Sequence, residues 1–387
     1  MEIFYPLATS SWDDLEIQAI HKVISAGMYT MGTHVAQYEQ EFAKFLGTKY
    51  CVMCSSGSTA NLIMVAALFF RKNNPLKRGD EVIVPAVSWS TTYYPLAQYG
   101  LKLKFVDIDL ETLNFDLNAL KTAITEKTRM IMAVNLLGNS NKFTEIKKMI
   151  SGKNIDLVED NCESLGATYE EKQTGTFGMM GTYSSFFSHH ISTMEGGVVS
   201  TDDEELYHIL LCLRAHGWTR NLPKENKVTG TKSDNAFEES FKFVLPGYNV
   251  RPLEMSGAIG LEQIKKLPQF IKNRRKNAEV FQETFGNHKD FYIQKEIGKS
   301  SWFGFSFVIK PESNINRHQV IKHLTGAGVE CRPIVAGNFA KNEVVKWFDH
   351  EICGQLKNAD RIDAHGFFIG NHQVLMIEKI RALKSLL

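Results

Sequence analysis

The residues able to do chemistry fall into a few short runs. The run 54–61, Cys-Ser-Ser-Gly-Ser-Thr-Ala-Asn, leads from the end of an apolar strand into a long apolar helix. Free N–H groups and the positive dipole end of that helix make the turn a candidate phosphate site, with Ser58 as side-chain donor. Capping alone also explains a Gly-Ser-Thr start. Asp160 comes directly after an expected strand at 155–158, with Glu163 three residues on. It either faces a ligand at the carboxyl end of that strand or caps a helix. A third run, 181–197, holds Ser184, Ser188, His189, His190, Glu195, Gly196 and Gly197. The paired histidines invite a metal reading. Adjacent strand residues face opposite ways and no H-E-x-x-H accompanies them, so that reading falls. Cys51-x-x-Cys54 invites zinc or redox chemistry, but no second Cys or His pair follows, and residues three apart on a strand point to opposite faces. No metal site is expected. Gly175, Gly178 and Gly181 form neither a G-x-G-x-x-G nor a Walker A loop, and a loop before a strand explains them. The basic run 272–276 reads as a solvated helix face. Arg220 and Arg332 are candidates for a diphosphate or sugar, since guanidinium suits bidentate anion binding; a ligand-free surface arginine is the competing reading for each.

The elements that must position these residues alternate. Ser11 and Asp14 resemble a capping box opening a helix that carries Leu15, Ile20, Val23 and Ile24. A second helix carries Val35, Tyr38, Phe42 and Phe45 and ends at Gly47, in the C-cap position. Strands are expected over 50–53, 81–85, 103–108, 130–134 and 155–158, with helices over 59–70 and 144–150 and one capped by Asp116. Strands buried on both faces and separated by helices imply a mostly parallel sheet in an α/β architecture. After residue 183 the period changes: 183–188 and 197–201 read as paired strands, 204–216 and 255–285 as helices, and 222–239 as a long surface loop. Strand 302–309, a helix from Arg317 and the stretch 328–333 suggest a smaller C-terminal α+β domain. The expected division is a large domain over 1–250 and a small one over 251–387.

Composition narrows the class. The 387 residues are 43% hydrophobic and 22% charged, which excludes a disordered, collagen-like or disulfide-scaffold chain. Lys and Arg number 44 against 43 Asp and Glu, a net charge of +1, so neither bulk nucleic-acid nor membrane-surface binding is expected. The longest apolar run, 62–70, is far short of a bilayer span, and residues 1–11 lack the pattern of a signal peptide. Six scattered cysteines predict reduced thiols and a cytoplasmic protein.

Taken together, Ser58, Trp89, the Asp160–Glu163 pair, the run 181–197, Gly247-Tyr-Asn249-Val-Arg251, Phe105-Val-Asp-Ile-Asp109 and Thr112-Leu-Asn114 resemble the DegT/DnrJ/EryC1/StrS family over nearly the whole chain. Members are sugar aminotransferases dependent on pyridoxal 5'-phosphate (PLP), with the aspartate-aminotransferase fold, type I. The resemblance implies that Asp160 partners the pyridine nitrogen and that Trp89 stacks on the ring. It implies that Glu163 belongs to the cofactor site and that Gly57, Ser58 and Ser184 hold the phosphate. It implies also that Asn249 reaches the phosphate of a neighbouring subunit, giving a homodimer with shared active sites.

One position departs. The family's lysine, six residues before the Glu-Gly-Gly, is His189 here. An imidazole cannot anchor the cofactor covalently as an amine does, so the cofactor is expected to be bound non-covalently, chiefly as pyridoxamine 5'-phosphate (PMP). Within the family a histidine here resembles the sugar 3-dehydratases. The implied reaction removes the C3 hydroxyl of GDP-4-keto-6-deoxy-D-mannose, with His189 as base and then acid and L-glutamate renewing the PMP. Related dehydratases carry an iron–sulfur cluster; beyond residue 189 only Cys212, Cys331 and Cys353 remain, with no C-x-C grouping, so no cluster is expected. The alternatives are a 4-aminotransferase working with free cofactor and a non-catalytic cofactor-binding regulator. The first helix, starting by residue 12, leaves no expected room for an N-terminal winged helix.

Overall fold

Hydrophobic period sorts the chain into elements, and the computed structural model describes residues 3–387 of it. Met1 and Glu2, the start of the stretch read for a signal peptide, lie outside the described residues. Helices α1 (Asp14–Ala26) and α2 (Thr33–Leu46) precede an alternating run: β1 (Tyr50–Cys54), α3 (Gly57–Phe70), β2 (Glu81–Pro85), α4 (Ser90–Gln98), β3 (Lys102–Val106), α5 (Leu117–Ala123), β4 (Thr128–Val134), α6 (Phe143–Ile150) and β5 (Asp156–Asp160). A short ribbon, β6 (Thr168–Tyr169) and β7 (Lys172–Gln173), leads to β8 (Met180–Ser184) and β9 (Gly197–Thr201). Then come α7 (Glu204–Arg214), a second ribbon of β10 (Glu225–Asn226) and β11 (Gly230–Thr231), α8 (Ala236–Glu239) and the long α9 (Glu254–Phe285). The C-terminal part contains β12 (Phe291–Ile293), β13 (Gly304–Ile309), α10 (Arg317–Gly326), β14 (Cys331–Arg332), β15 (His350–Ile352), α11 (Lys357–His365), β16 (Gly366–Gly370) and α12 (Ile377–Ala382).

The main sheet has the order β1-β9-β8-β5-β4-β2-β3-β15, with only β9 antiparallel to its neighbours. Its inner strands are buried on both faces, and α3, apolar after Asn61, is buried along most of its length. Cys51 and Cys54 fall in different core clusters, as strand alternation requires. The second sheet, β12-β13-β16-β14, is antiparallel. Phe281 and Phe285 of α9 pack on it, with Phe281 stacked on Phe305 at 4.2 Å. Helix α9 touches α1 and α2 on one side and α12 and β12 on the other. The N-terminal Tyr5 bridges to Val329 in the C-terminal part, and β15 returns from that part to extend the main sheet beside β3. Among the described residues no helix is long and apolar enough to cross a membrane.

Several local expectations change. The cap of α1 is Asp13, boxed with Glu16; the Ser11 hydroxyl instead donates to Gln263 Oε1 at 2.6 Å. The packed face of α1 is Glu16, Ala19 and Val23, leaving Leu15 and Ile24 47% and 46% exposed. On that packed face the wholly buried Glu16 meets Lys266 of α9 at 2.7 Å. The strand expected over 183–188 ends at Ser184, so His189 and His190 sit on turns rather than on a strand. Asp160 is the last residue of β5 rather than the residue after it. The 222–239 loop contains a ribbon and a short helix.

Candidate active site

The carboxyl ends of the parallel strands open into a cleft of ≈ 580 Å³, the volume of a cofactor-sized site. Gly57, Ser58, Trp89, Asp160, Glu163, Ser184, His189 and Arg332 all line it. Arg220 and Asn249 do not.

The floor is a carboxylate fixed by donors. Asp160 Oδ2 accepts from Asn61 Nδ2 at 2.8 Å and from the Thr92 hydroxyl at 2.7 Å, and Oδ1 accepts from the Cys162 N–H at 3.1 Å. Thr182 donates to Asn61 Oδ1 at 2.6 Å, which orients the amide so that its NH₂ faces Asp160. Asn61 is a polar residue on an otherwise apolar helix, a signal legible in sequence. Thr92 carries no such signal.

The helix-start turn is shaped by glycines. Ser56 caps α3, accepting from Thr59 N at 3.1 Å, while the N–H groups of Gly57 and Ser58 have no intrahelical acceptor. A methyl at Gly57 would stand 2.7 Å from Ser184 Cβ, so glycine is what lets Ser184 close on the turn. A Cβ at Gly197 would stand 2.1 Å from the Ser56 carbonyl oxygen. The Glu-Gly-Gly wording therefore shapes the same turn from β9. Ser58 Oγ donates to Thr91 at 2.9 Å.

His189 forms one wall. Its ring packs edge-on to Phe303 at 5.1 Å and to Phe186 at 6.1 Å. Nδ1 is buried without a hydrogen-bond partner, so Nε2 is the nitrogen turned to the cleft. Burial first, and the Arg274 charge second, push its pKa down to about 4, so the resting imidazole is neutral. A free imidazole titrates near ~6.5; the apolar wall is the main reason for the difference. Glu163 accepts from Leu137 N at 3.0 Å, and burial, with the nearby Asp160 as a smaller cause, raises its pKa to about 7. Trp89, 57% exposed, stands at the N-cap of α4 on the rim. Arg332 also lines the cleft, donating to its neighbour's carbonyl, Cys331 O, at 3.0 Å.

The glycine spacing at 175–181 has a use that sequence did not show. Glu159, wholly buried beside Asp160, accepts from the N–H groups of Gly175 at 2.6 Å, Phe177 at 2.5 Å and Gly178 at 2.8 Å. That nest fixes β5, and with it Asp160. Outside the cleft, the Arg220 guanidinium lies over Trp218 at 4.4 Å and donates to Ser240 O at 3.1 Å. Asn249 is exposed and accepts from Arg251 Nε at 3.0 Å.

These residues fit a phosphorylated pyridine. The Gly57–Ser58 N–H groups with Ser58 and Ser184 suit a phosphate, and a buried acceptor-only carboxylate suits a cationic ring nitrogen. No lysine is among the residues lining the cleft, so no amine is at hand for covalent attachment. Among the described residues no three His, Cys, Asp or Glu side chains come together to hold a metal ion.

The DegT/DnrJ/EryC1/StrS aminotransferase family matches over residues 11–385. The chain is 64% identical over 386 residues to GDP-4-keto-6-deoxy-D-mannose 3-dehydratase of Escherichia coli O55:H7, covering 100% of both proteins. A histidine-to-asparagine mutant of GDP-4-keto-6-deoxymannose-3-dehydratase with bound GDP-perosamine matches at a TM-score of 0.98 and 63% identity, over 99% of each chain. The same enzyme with a trapped PLP-glutamate geminal diamine matches at 0.98 and 63%, over 99% of this chain and 100% of that one.

Proposed function

Because the chain belongs to the DegT/DnrJ/EryC1/StrS aminotransferase family, we propose that it is a nucleotide-sugar 3-dehydratase of the aminotransferase fold. It takes GDP-4-keto-6-deoxy-D-mannose to GDP-4-keto-3,6-dideoxy-D-mannose, with non-covalently held PMP/PLP as cofactor and L-glutamate as amino donor. The observation that carries this reading is His189: a neutral imidazole, its Nε2 open to the cleft, where aminotransferases of the family keep a lysine.

When bound, the cofactor supplies an amine for the sugar ketone and a cationic ring that draws electrons from the reacting carbons. Asp160 would keep the proton on that ring's nitrogen, since an opposite charge favours the charged form. The turn at Gly57 and Ser58, with Ser184, would hold the phosphate, and Trp89 would cover the ring. His189 takes a proton at Nε2. As an imidazolium in a dry wall it is then a strong acid, and it returns the proton to the departing C3 oxygen. Electrons balance without a reductase: glutamate is oxidised to its 2-oxo acid, its nitrogen leaves as ammonia, and its two electrons replace the C3–O bond.

The cleft of one chain is short of positive charge. Asp160, Glu163 and Glu195 line it against the single cation Arg332, yet a phosphate, a diphosphate and a dicarboxylate must be accommodated. A homodimer in which Arg220 of a second copy adds charge and its Asn249 adds an amide donor answers that deficit; Arg332 would then meet the diphosphate or sugar. The six free cysteines fit a cytoplasmic setting.

The test is to incubate the protein with PLP, glutamate and the GDP-4-keto sugar and to read products by mass. A 3-deoxy-4-keto sugar with equimolar ammonia is expected, and borohydride should leave no cofactor attached to the chain. A 4-amino sugar without ammonia would overturn the reading in favour of an aminotransferase, and cofactor binding without turnover in favour of a regulator.

A further inference from the structure

Behind His189 lies a buried cation that the reaction as described does not use. Arg274, on α9, is 3% exposed. Its Nη1 donates to three main-chain carbonyls: Asn371 at 2.7 Å, Phe303 at 3.1 Å and Trp302 at 3.4 Å. Its Nε has no hydrogen-bond partner among the described residues, and no carboxylate offsets its charge; burial alone lowers its pKa, to about 10. A buried charge without a counter-charge is costly, and its retention calls for a reason.

What Arg274 holds is the segment on which His189 leans. Trp302 has a left-handed backbone, φ 49°, which a bulky residue adopts only when its surroundings impose it. Its carbonyl is gripped by Arg274 and by Asn371 Nδ2 at 2.9 Å, and its N–H is held by Ser300 Oγ at 3.0 Å. The next residue, Phe303, faces both His189 at 5.1 Å and His190 at 5.8 Å. The charged groups that line the cleft with His189 are Glu195 from its own loop, Asp160, Glu163 and Arg332, and Arg274 lies behind it on α9; His190 beside it is neutral. Of these, Arg274 is the charge that bears on His189, and it bears in the same sense on His190 and His372.

We propose that Arg274 is a positioning residue for the dehydration: its Nη1 fixes the Trp302–Phe303 turn that backs His189, and it sets a buried cation with no counter-charge behind that imidazole. This rests on the reading of His189 as the proton carrier. Two variants separate the two effects. R274Q removes the charge and keeps a donor; R274K keeps the charge on a side chain one bond shorter.

The first readout is the titration of His189 by NMR in cofactor-free protein, assigned by the resonance missing from H189N. R274Q should raise the midpoint from about 4 by about one pH unit, a tenfold change in the protonated fraction at a given pH. The acid limb of kcat/KM should move up by the same interval. R274K should leave both in place while lowering kcat at least about tenfold, because the lysine side chain is one bond shorter and its ammonium falls short of the carbonyls that Nη1 reaches. An unmoved midpoint in folded R274Q would overturn the proposal, as a merely structural arginine would lower stability without shifting a titration. Should R274Q not fold, R274K decides: parental kcat overturns the positioning role, and a reduced kcat with an unmoved midpoint upholds it. The underlying reading fails separately, if H189N still dehydrates the sugar while the NMR shift in R274Q stands.

Discussion

At the floor of the cleft Asp160 is buried, and all three of its hydrogen bonds come from its own chain. In the segment from residue 216 to 251, Arg220 and Asn249 are exposed, and their neighbours are an aromatic face, a main-chain carbonyl and another arginine. Both regions were expected to hold phosphorylated ligands. The floor is finished within one chain because parallel strands bring residues far apart in sequence to one edge and bury them together. Arg220 and Asn249 themselves make little use of their side chains within the chain, although the segment around them is well bonded, as at Thr219–Glu239 and Lys232–Leu222. Substitutions on the floor should therefore act through many groups at once, and substitutions at Arg220 or Asn249 through few.

The sharpest break of this contrast is H189N. Removing the proton carrier should lower kcat by about 10²–10⁴, with cofactor absorbance retained on the protein; near-parental turnover would show that the wall is scenery. Next comes D160A, which leaves the donors of Asn61, Thr92 and Cys162 unpaired in the core. A loss of at least about 2 kcal/mol of stability is expected, together with weakened PLP binding, as read by denaturant titration and by absorbance. N249A should leave the denaturation midpoint unchanged, and an equal loss in both variants would erase the distinction between the regions.

Glu163 offers a test by pH. Its folded pKa, about 7, lies above the ordinary carboxyl value of 4.5, so the folded state binds the proton more tightly than the unfolded state. That favourable difference is complete below about 4.5 and is lost as pH rises through 7. Replacing Glu163 with Gln should flatten this dependence, making the variant gain on the parent by about 1–3 kcal/mol between pH 5 and 8 in denaturant titrations. A pH-independent difference would place the carboxyl in ordinary solvent. The smallest effect is expected from R220A: a KM for the GDP-sugar raised about tenfold, about 1.4 kcal/mol, with the glutamate half-reaction unchanged. Equal losses in both half-reactions would remove Arg220 from the sugar's side.

Much of the site was legible because its signals are local. The Ser-Gly-Ser turn before an apolar helix, an acidic residue at the end of an apolar strand, and a histidine six residues before Glu-Gly-Gly can all be read without knowing what packs on what. The errors were local rules overruled from a distance. Of the apolar residues read on α1, Val23 is buried while Leu15 and Ile24 are exposed, since the packed face also carries Glu16, paired with Lys266 of α9. The 183–188 strand stopped early because the segment after Ser184 turns to carry His189 toward Phe303. The glycines at 175 and 178 looked like plain loop residues because the carboxylate they cradle, Glu159, lies on another strand.

By itself the sequence determined the alternation that makes a parallel sheet and the substitution of imidazole for amine, since both depend on residue type and short spacing. The tertiary structure alone decided that Asn61 and Thr92, 99 and 68 residues from Asp160, would fix that carboxylate, and that His189 would rest neutral against Phe303 with Arg274 behind it. Hydrogen-bond satisfaction and proton affinity are properties of a three-dimensional surrounding, and no stretch of chain contains its own surroundings.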